Sequence, residues 1–320
     1  MTTTINRSIE PADPTTAHIA FIGLGVMGAP MARNIARTGF RVSVFDEAAN
    51  AMHAFSDSGC RLGTSAENAA TGADIVITML PTTSVVREVL LNRGVVAAMR
   101  PHGLAIDMST GDAGDTDALA GDLRDLGIRF LDAPVGRTPR EAAAGKLLVM
   151  VGGDATDIAE ARPVFEAMAD TIVHVGPSGS GIRLKLVNNY MSMVGMVLTG
   201  EALMFAAKLC LDRRTVVEVL STTSAGRGQL LTNFPHKVLA GDITPDFPLR
   251  MGYKDIDLAM RLAASVGAPL GLGAYSRELY SLAKSWGRAE QDCTAMLLLL
   301  EDLARVHGAA GTDERNFGKR

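Results

Sequence analysis

His18-Ile-Ala-Phe-Ile-Gly-Leu-Gly-Val-Met-Gly28 decides how the chain is read. His18 to Ile22 is an apolar run of strand length, and it passes without a break into Gly-x-Gly-x-x-Gly. Pro30 to Thr38 then has the composition of a helix, which Gly39 ends. Each glycine has a physical reason to stand where it does. Gly23 permits the tight turn, Gly25 lets a pyrophosphate approach the backbone, and Gly28 lets the helix sit close on the sheet. With Val26 and Met27 they form the turn whose amides, at a helix N-terminus, receive phosphate. A second strand, Arg41 to Phe45, ends in Asp46, at the interval expected for an acid that accepts hydrogen bonds from the adenosine ribose. A carboxylate there repels a 2′-phosphate, so the expected cofactor is NAD and not NADP.

Alternating signals continue outward from this unit. Asp74 to Leu80, Leu104 to Met108, Ile128 to Leu131, Leu147 to Val151 and Thr171 to Val175 read as strands, and Thr156 to Met168 as a helix. That alternation predicts an α/β, Rossmann-like doubly wound sheet. Ligands of such sheets bind beyond the carboxyl ends of the strands, which puts Met79, Leu80, Ser109 and Thr110 at the nicotinamide half of the cleft. For Met79 and Leu80, plain core is the alternative. From about Ser180 the periodicity is helical throughout, with a helix capped by Asp212, a polar loop at 222–229, a helix within Phe247 to Ser265, and two more near 273–286 and 293–306. The expected organisation is a flexible tail at 1–16, a NAD-binding domain at 17–178, and an all-α substrate and oligomerisation domain at 179–320, the two domains being joined by a long helix.

That helix opens with Gly181-Ile-Arg-Leu-Lys-Leu-Val-Asn-Asn-Tyr-Met-Ser192. Lys185, Asn188, Asn189 and Ser192 share one stripe, while the following residues to Ala207 are apolar on nearly every side, as in a helix buried between two masses of protein. The lysine and amides need partners, and an anionic substrate or bulk water would each supply them.

The chain has 320 residues, is 47% hydrophobic and 21% charged, and carries a formal net charge of -4. These values describe an ordinary globular protein with no bulk attraction to nucleic acid or an anionic membrane. The run from Met191 to Ala207 is interrupted by Ser192, Gly195, Thr199, Gly200 and Glu201, so no membrane span is expected. Cys60, Cys210 and Cys293 are far apart and read as reduced thiols in the cytoplasm; the scattered histidines give no metal-ligand spacing.

Several segments together resemble the β-hydroxyacid dehydrogenases, the family of 3-hydroxyisobutyrate dehydrogenase. They are the glycine turn with Met31-Ala-Arg-Asn34, Thr78-Met-Leu-Pro81, Asp107-Met-Ser-Thr110, Asp132-Ala-Pro-Val135, Gly152-Gly153, the Lys185/Asn188/Asn189 helix and Lys254-Asp255. The resemblance implies that Lys185 is the acid/base, that Asn188 and Asn189 bind substrate, and that Lys254 lies near the cofactor. Most members have Ser-Gly-Gly after Asp-Ala-Pro-Val, holding a carboxylate. Here Gly136-Arg137-Thr138 stands instead, and it is similar to the members that reduce 3-sulfolactaldehyde to 2,3-dihydroxypropane-1-sulfonate in sulfoquinovose breakdown. An arginine fork with a hydroxyl and loop amides suits a three-oxygen sulfonate; the alternative is that Arg137 pairs with a surface acid. The expected substrate is a small anionic aldehyde or alcohol, a carboxylate such as tartronate semialdehyde, succinate semialdehyde or 3-hydroxyisobutyrate being the nearest competitor. Ser109 and Ser192 are expected beside it, and the expected assembly is a homodimer or homotetramer. A nucleotide-binding regulator would also use the glycine turn, but would not need Lys185.

Overall fold

A computed structural model of the protein describes residues 10–306. Residues 1–9 of the tail expected at 1–16, and the charged residues after Gly308, lie outside these. The described residues form two compact units that divide between Met191 and Ser192.

The first unit holds a nine-stranded sheet: β1 (His18–Ile22), β2 (Arg41–Phe45), β3 (Arg61–Leu62), β4 (Ile75–Thr78), β5 (Leu104–Asp107), β6 (Arg129–Asp132), β7 (Val135–Gly136), β8 (Leu147–Gly152) and β9 (Ala169–Gly176). The order is β3-β2-β1-β4-β5-β6-β8-β7, with β9 on β8, and the first six strands are parallel. The unbroken apolar runs have a direct cause, since alternate residues serve opposite faces and both faces are covered. Ile19 and Phe21 of β1, Ile75 and Ile77 of β4, and Leu104 and Ile106 of β5 enter one core; Ala20, Ile22, Val76 and Ala105 enter the other. The chain runs outward from β1 to β3 and then returns to β4, which makes the β1/β4 boundary the switch point where such sheets bind ligands.

Asp132, Val135 and Gly136 pair with Gly152, Val149 and Leu148 in one antiparallel register, so β7 prolongs β6 beyond the parallel sheet. The segment 132–146 thus contains a strand and also a helix, Pro139–Ala143. Its capping box is Thr138 with Glu141, and Pro139 supplies a fixed φ in the first turn. Residues 12–17 are likewise tied down rather than frayed: the Ala12 amide donates to the Glu160 carbonyl, and Asp13 nucleates a turn through Thr15.

The long helix runs from Ser180 to Lys208. The expected boundary at residue 178 falls at its start, whereas the two compact units divide within it, between Met191 and Ser192. Its side chains were expected to be buried, but Val187, Tyr190, Met193, Met196 and Leu198 are exposed in this single chain. Its most apolar 18-residue window has a mean hydropathy of 1.4, so by length and composition alone it could cross a membrane. Charged Arg183, Lys185 and Glu201 lie along the same helix.

The second unit is helical throughout. Asp212 caps Arg213–Thr222 by accepting from the Thr215 amide at 2.9 Å, and Leu249–Ser265, Gly271–Ala283 and Met296–Ala304 follow. The expected polar loop at 222–229 is mostly a short helix, Ser224–Arg227. The core of this unit is small: Leu249, Ala283 and Leu299 are its buried cluster.

Candidate active site

The glycine turn closes β1 and starts the helix Gly28–Arg37. Gly23 has φ +101°, and a Cβ there would lie 2.2 Å from the Met79 carbonyl oxygen; one on Gly28 would lie 2.0 Å from the Gly23 carbonyl oxygen. The protein's own packing therefore requires those two glycines. At Gly25 a Cβ would meet nothing within 4 Å, and Gly25 and Val26 are exposed. A glycine that nothing inside the protein demands, exposed just before a helix N-terminus, forms an open cradle that fits a pyrophosphate. Asp46 is half-buried next to it. One carboxylate oxygen accepts from the Leu24 amide at 2.7 Å and the other from the Ala48 amide at 2.8 Å, so Asp46 braces the turn and keeps lone pairs for a ribose.

At the ends of β4 and β5, Met79 and Leu80 are half-buried and Thr110 is exposed, as a cleft edge requires. Ser109, expected at the substrate, is 2% exposed and turned inward. Its hydroxyl accepts from the Leu80 amide at 2.9 Å, so it fixes the shape of the cleft edge from beneath. Below it Asp107 accepts from the Thr78 hydroxyl at 2.8 Å and the Ser109 amide at 3.1 Å. Burial pushes the Asp107 carboxyl above the usual range, and neighbouring Asp132 adds to that.

Lys185 stands in the second turn of the long helix, half-buried and without an ion-pair partner among the described residues. Burial lowers its ammonium pKa from the ordinary value. One turn further Asn188 is exposed and donates to the Asn189 side-chain oxygen at 3.2 Å. Ser192, exposed, continues this stripe as the first residue of the second unit.

Gly136 is buried, with Arg137 and Thr138 exposed at the tip of β7. Both side chains find partners within the protein. The Arg137 guanidinium pairs with Asp170 at 2.6 Å and also donates to the Thr171 hydroxyl and the Lys146 carbonyl. The Thr138 hydroxyl donates to Glu141. Arg137 has φ +75°, a left-handed conformation that costs a non-glycine residue roughly 1–2 kcal/mol. The pairing with Asp170 helps to hold it there. Lys254 belongs to the second unit, on Leu249–Ser265, with its ammonium 3.0 Å from Asp255. Among the described residues no three His, Cys, Asp or Glu are grouped as metal ligands.

Sequence reasoning missed the roles of Asp107 and Asp132. The available signal was an acid directly following apolar residues at the end of each of two strands, where only a hydrogen-bonded carboxylate is tolerated.

Residues 18–176 match the NAD-binding domain of 6-phosphogluconate dehydrogenase, and residues 179–300 match the NAD-binding of NADP-dependent 3-hydroxyisobutyrate dehydrogenase. The chain is 42% identical over 282 residues to the 3-sulfolactaldehyde reductase of Escherichia coli (strain K12), covering 88% of this chain and 95% of that one. It is 34% identical over 290 residues to the NAD-dependent L-serine dehydrogenase of Pseudomonas aeruginosa, covering 88% and 97%. Among solved structures, Mycobacterium tuberculosis 3-hydroxyisobutyrate dehydrogenase with L-serine is similar at a TM-score of 0.63 and 36% identity, covering 89% and 99%.

Proposed function

The chain belongs to the 3-hydroxyisobutyrate dehydrogenase-like family of NAD-dependent hydroxyacid dehydrogenases, and on that premise we propose that it reduces 3-sulfolactaldehyde to 2,3-dihydroxypropane-1-sulfonate, reversibly and in the cytoplasm. NAD is its cofactor, and when bound in reduced form it supplies the hydride. The chain's own residues hold it: Gly23, Gly25 and Gly28 with the amides of Val26 and Met27 at the pyrophosphate, Asp46 at the ribose, and Met79, Leu80 and Thr110 along the nicotinamide half.

The observation that carries the chemistry is Lys185, a half-buried lysine with no ion-pair partner among the described residues. It donates a proton from Nζ to the carbonyl oxygen during reduction and takes it back during oxidation, while Asn188 or Asn189 orients it. A lowered pKa suits that exchange, because proton transfer is most efficient when the pKa lies near the working pH. For the substrate, the support is the 42% identity to a 3-sulfolactaldehyde reductase. The Arg137 pairing with Asp170 favours a second reading, in which the substrate is a carboxylate and the guanidinium stays outside the site.

Initial rates with 3-sulfolactaldehyde, tartronate semialdehyde and succinate semialdehyde, each with NADH and NADPH, separate the two. The highest kcat/KM is expected for 3-sulfolactaldehyde with NADH. A carboxylate turned over faster would overturn the sulfonate reading, and a preference for NADPH would overturn the role of Asp46.

A further inference from the structure

We propose that Asp132 is a positioning residue for Lys185, clamping the start of the long helix to the carboxyl end of β6. The proposal rests on the acid/base role of Lys185. Asp132 is 1% exposed and stands across the strand pair from Asp107 and from Gly152. One of its carboxylate oxygens accepts from the Gly179 amide at 2.6 Å and the other from the Ile182 amide at 2.8 Å. These amides lie at the mouth of the helix, where no carbonyl of the helix itself can reach them and where a negative charge is favoured by the helix dipole.

The surrounding space is closed to anything but glycine. A Cβ on Gly152 would lie 2.4 Å from an Asp132 carboxylate oxygen and 2.9 Å from the amides of Ser180 and Gly181; one on Gly181 would lie 2.4 Å from the Met150 carbonyl oxygen. Helix, carboxylate and β8 therefore meet with backbone against backbone. Lys185 follows Ile182 by less than one helical turn, so the site of the clamp fixes the site of its Cα. Burial raises the Asp132 carboxyl above its ordinary value on balance, and the bonds from backbone amides oppose that rise; acceptance at both oxygens is the geometry that favours the ionised form. Ordinary capping uses a residue adjacent in sequence. Here the cap comes from the strand end that borders the cleft, which ties the helix register to the sheet edge.

A double-mutant cycle on the full-length enzyme tests this, using Asp132→Asn, Lys185→Ala and the double variant, with turnover of 3-sulfolactaldehyde or, failing that, of the semialdehyde the parent reduces fastest. Asp132→Asn should lower kcat at least tenfold while NADH affinity, read by fluorescence, stays within about twofold. In the Lys185→Ala background the same change should cost less than about twofold, because there is no longer a lysine to place. Equal losses in both backgrounds would overturn the proposal and leave Asp132 a structural cap. If Lys185→Ala alone keeps most turnover, the acid/base role fails first, on a separate measurement. Gly152→Ala, which displaces the carboxylate but keeps its charge, replaces Asp132→Asn if that variant does not fold. Should neither variant bind NADH, Asp132 serves the scaffold and the proposal is wrong.

Discussion

Phe21, Phe165, Ile75 and Leu104 in the first unit are sealed between a sheet and its helices, whereas Leu231, Tyr275, Val197 and Trp286 in the second are at least half exposed. The contrast is not one of composition, since both stretches are rich in apolar residues. A parallel sheet buries side chains on both faces inside one chain. Helices with apolar residues on several sides leave some of them uncovered unless something outside the chain covers them. Each Å² of such apolar surface removed from water contributes about 25 cal/mol. A second copy of the chain, as in the expected homodimer or homotetramer, would cover such a face.

The largest effect is expected where the first unit meets chemistry. Lys185→Ala should lower turnover by about 10²–10⁴-fold with NADH affinity nearly unchanged, and a loss of only a few-fold would remove the chemistry from this unit. Because the lysine must be protonated to donate, parent reduction rates should fall as pH rises through its lowered pKa, and Lys185→Ala should lose that limb.

The second unit is tested by charge. Met196 is 64% exposed in the single chain, and Met196→Asp would place an unpaired carboxylate in any apolar interface there, weakening association on the order of a hundredfold or more. Light scattering after gel filtration should show the parent as a dimer or tetramer and the variant shifted toward monomer. A monomeric parent would break the comparison.

Within the first unit the glycines should divide. Gly25→Ala adds a methyl group to open space and should leave the melting temperature within about 2 °C while weakening NADH binding roughly tenfold; Gly28→Ala strikes backbone and should lower stability itself. If both merely destabilise, the cradle assignment is wrong.

The smallest effect concerns His18, 2% exposed, with Nε2 2.7 Å from the Ser43 hydroxyl. Burial pushes its imidazole below 6.5, and Arg41 and Arg61 push the same way. As pH falls below 6.5 the unfolded chain takes up the proton first. The stabilisation is therefore complete above that value and declines below it, by at most about 1.4 kcal/mol per pH unit. Urea unfolding between pH 8 and 5 should show this slope, and His18→Gln should flatten it; an unchanged slope would exonerate His18.

From the sequence alone, β1, the glycine turn, the following helix, β2 and Asp46 could be read, because turn chemistry and periodicity act over a few residues and each residue there answers to its immediate neighbours. The polar stripe from Lys185 to Asn189 was legible for the same reason. Tertiary structure decided what those residues do with partners far along the chain. Asp132 finds amides 47 and 50 residues away, Ser109 reaches back to Leu80, and Arg137 turns to Asp170. A carboxylate, hydroxyl or guanidinium can satisfy itself in many ways, and no spacing rule ranks them. Strand order and register bring one set of donors and acceptors within 3 Å, and burial makes leaving them unpaired too costly.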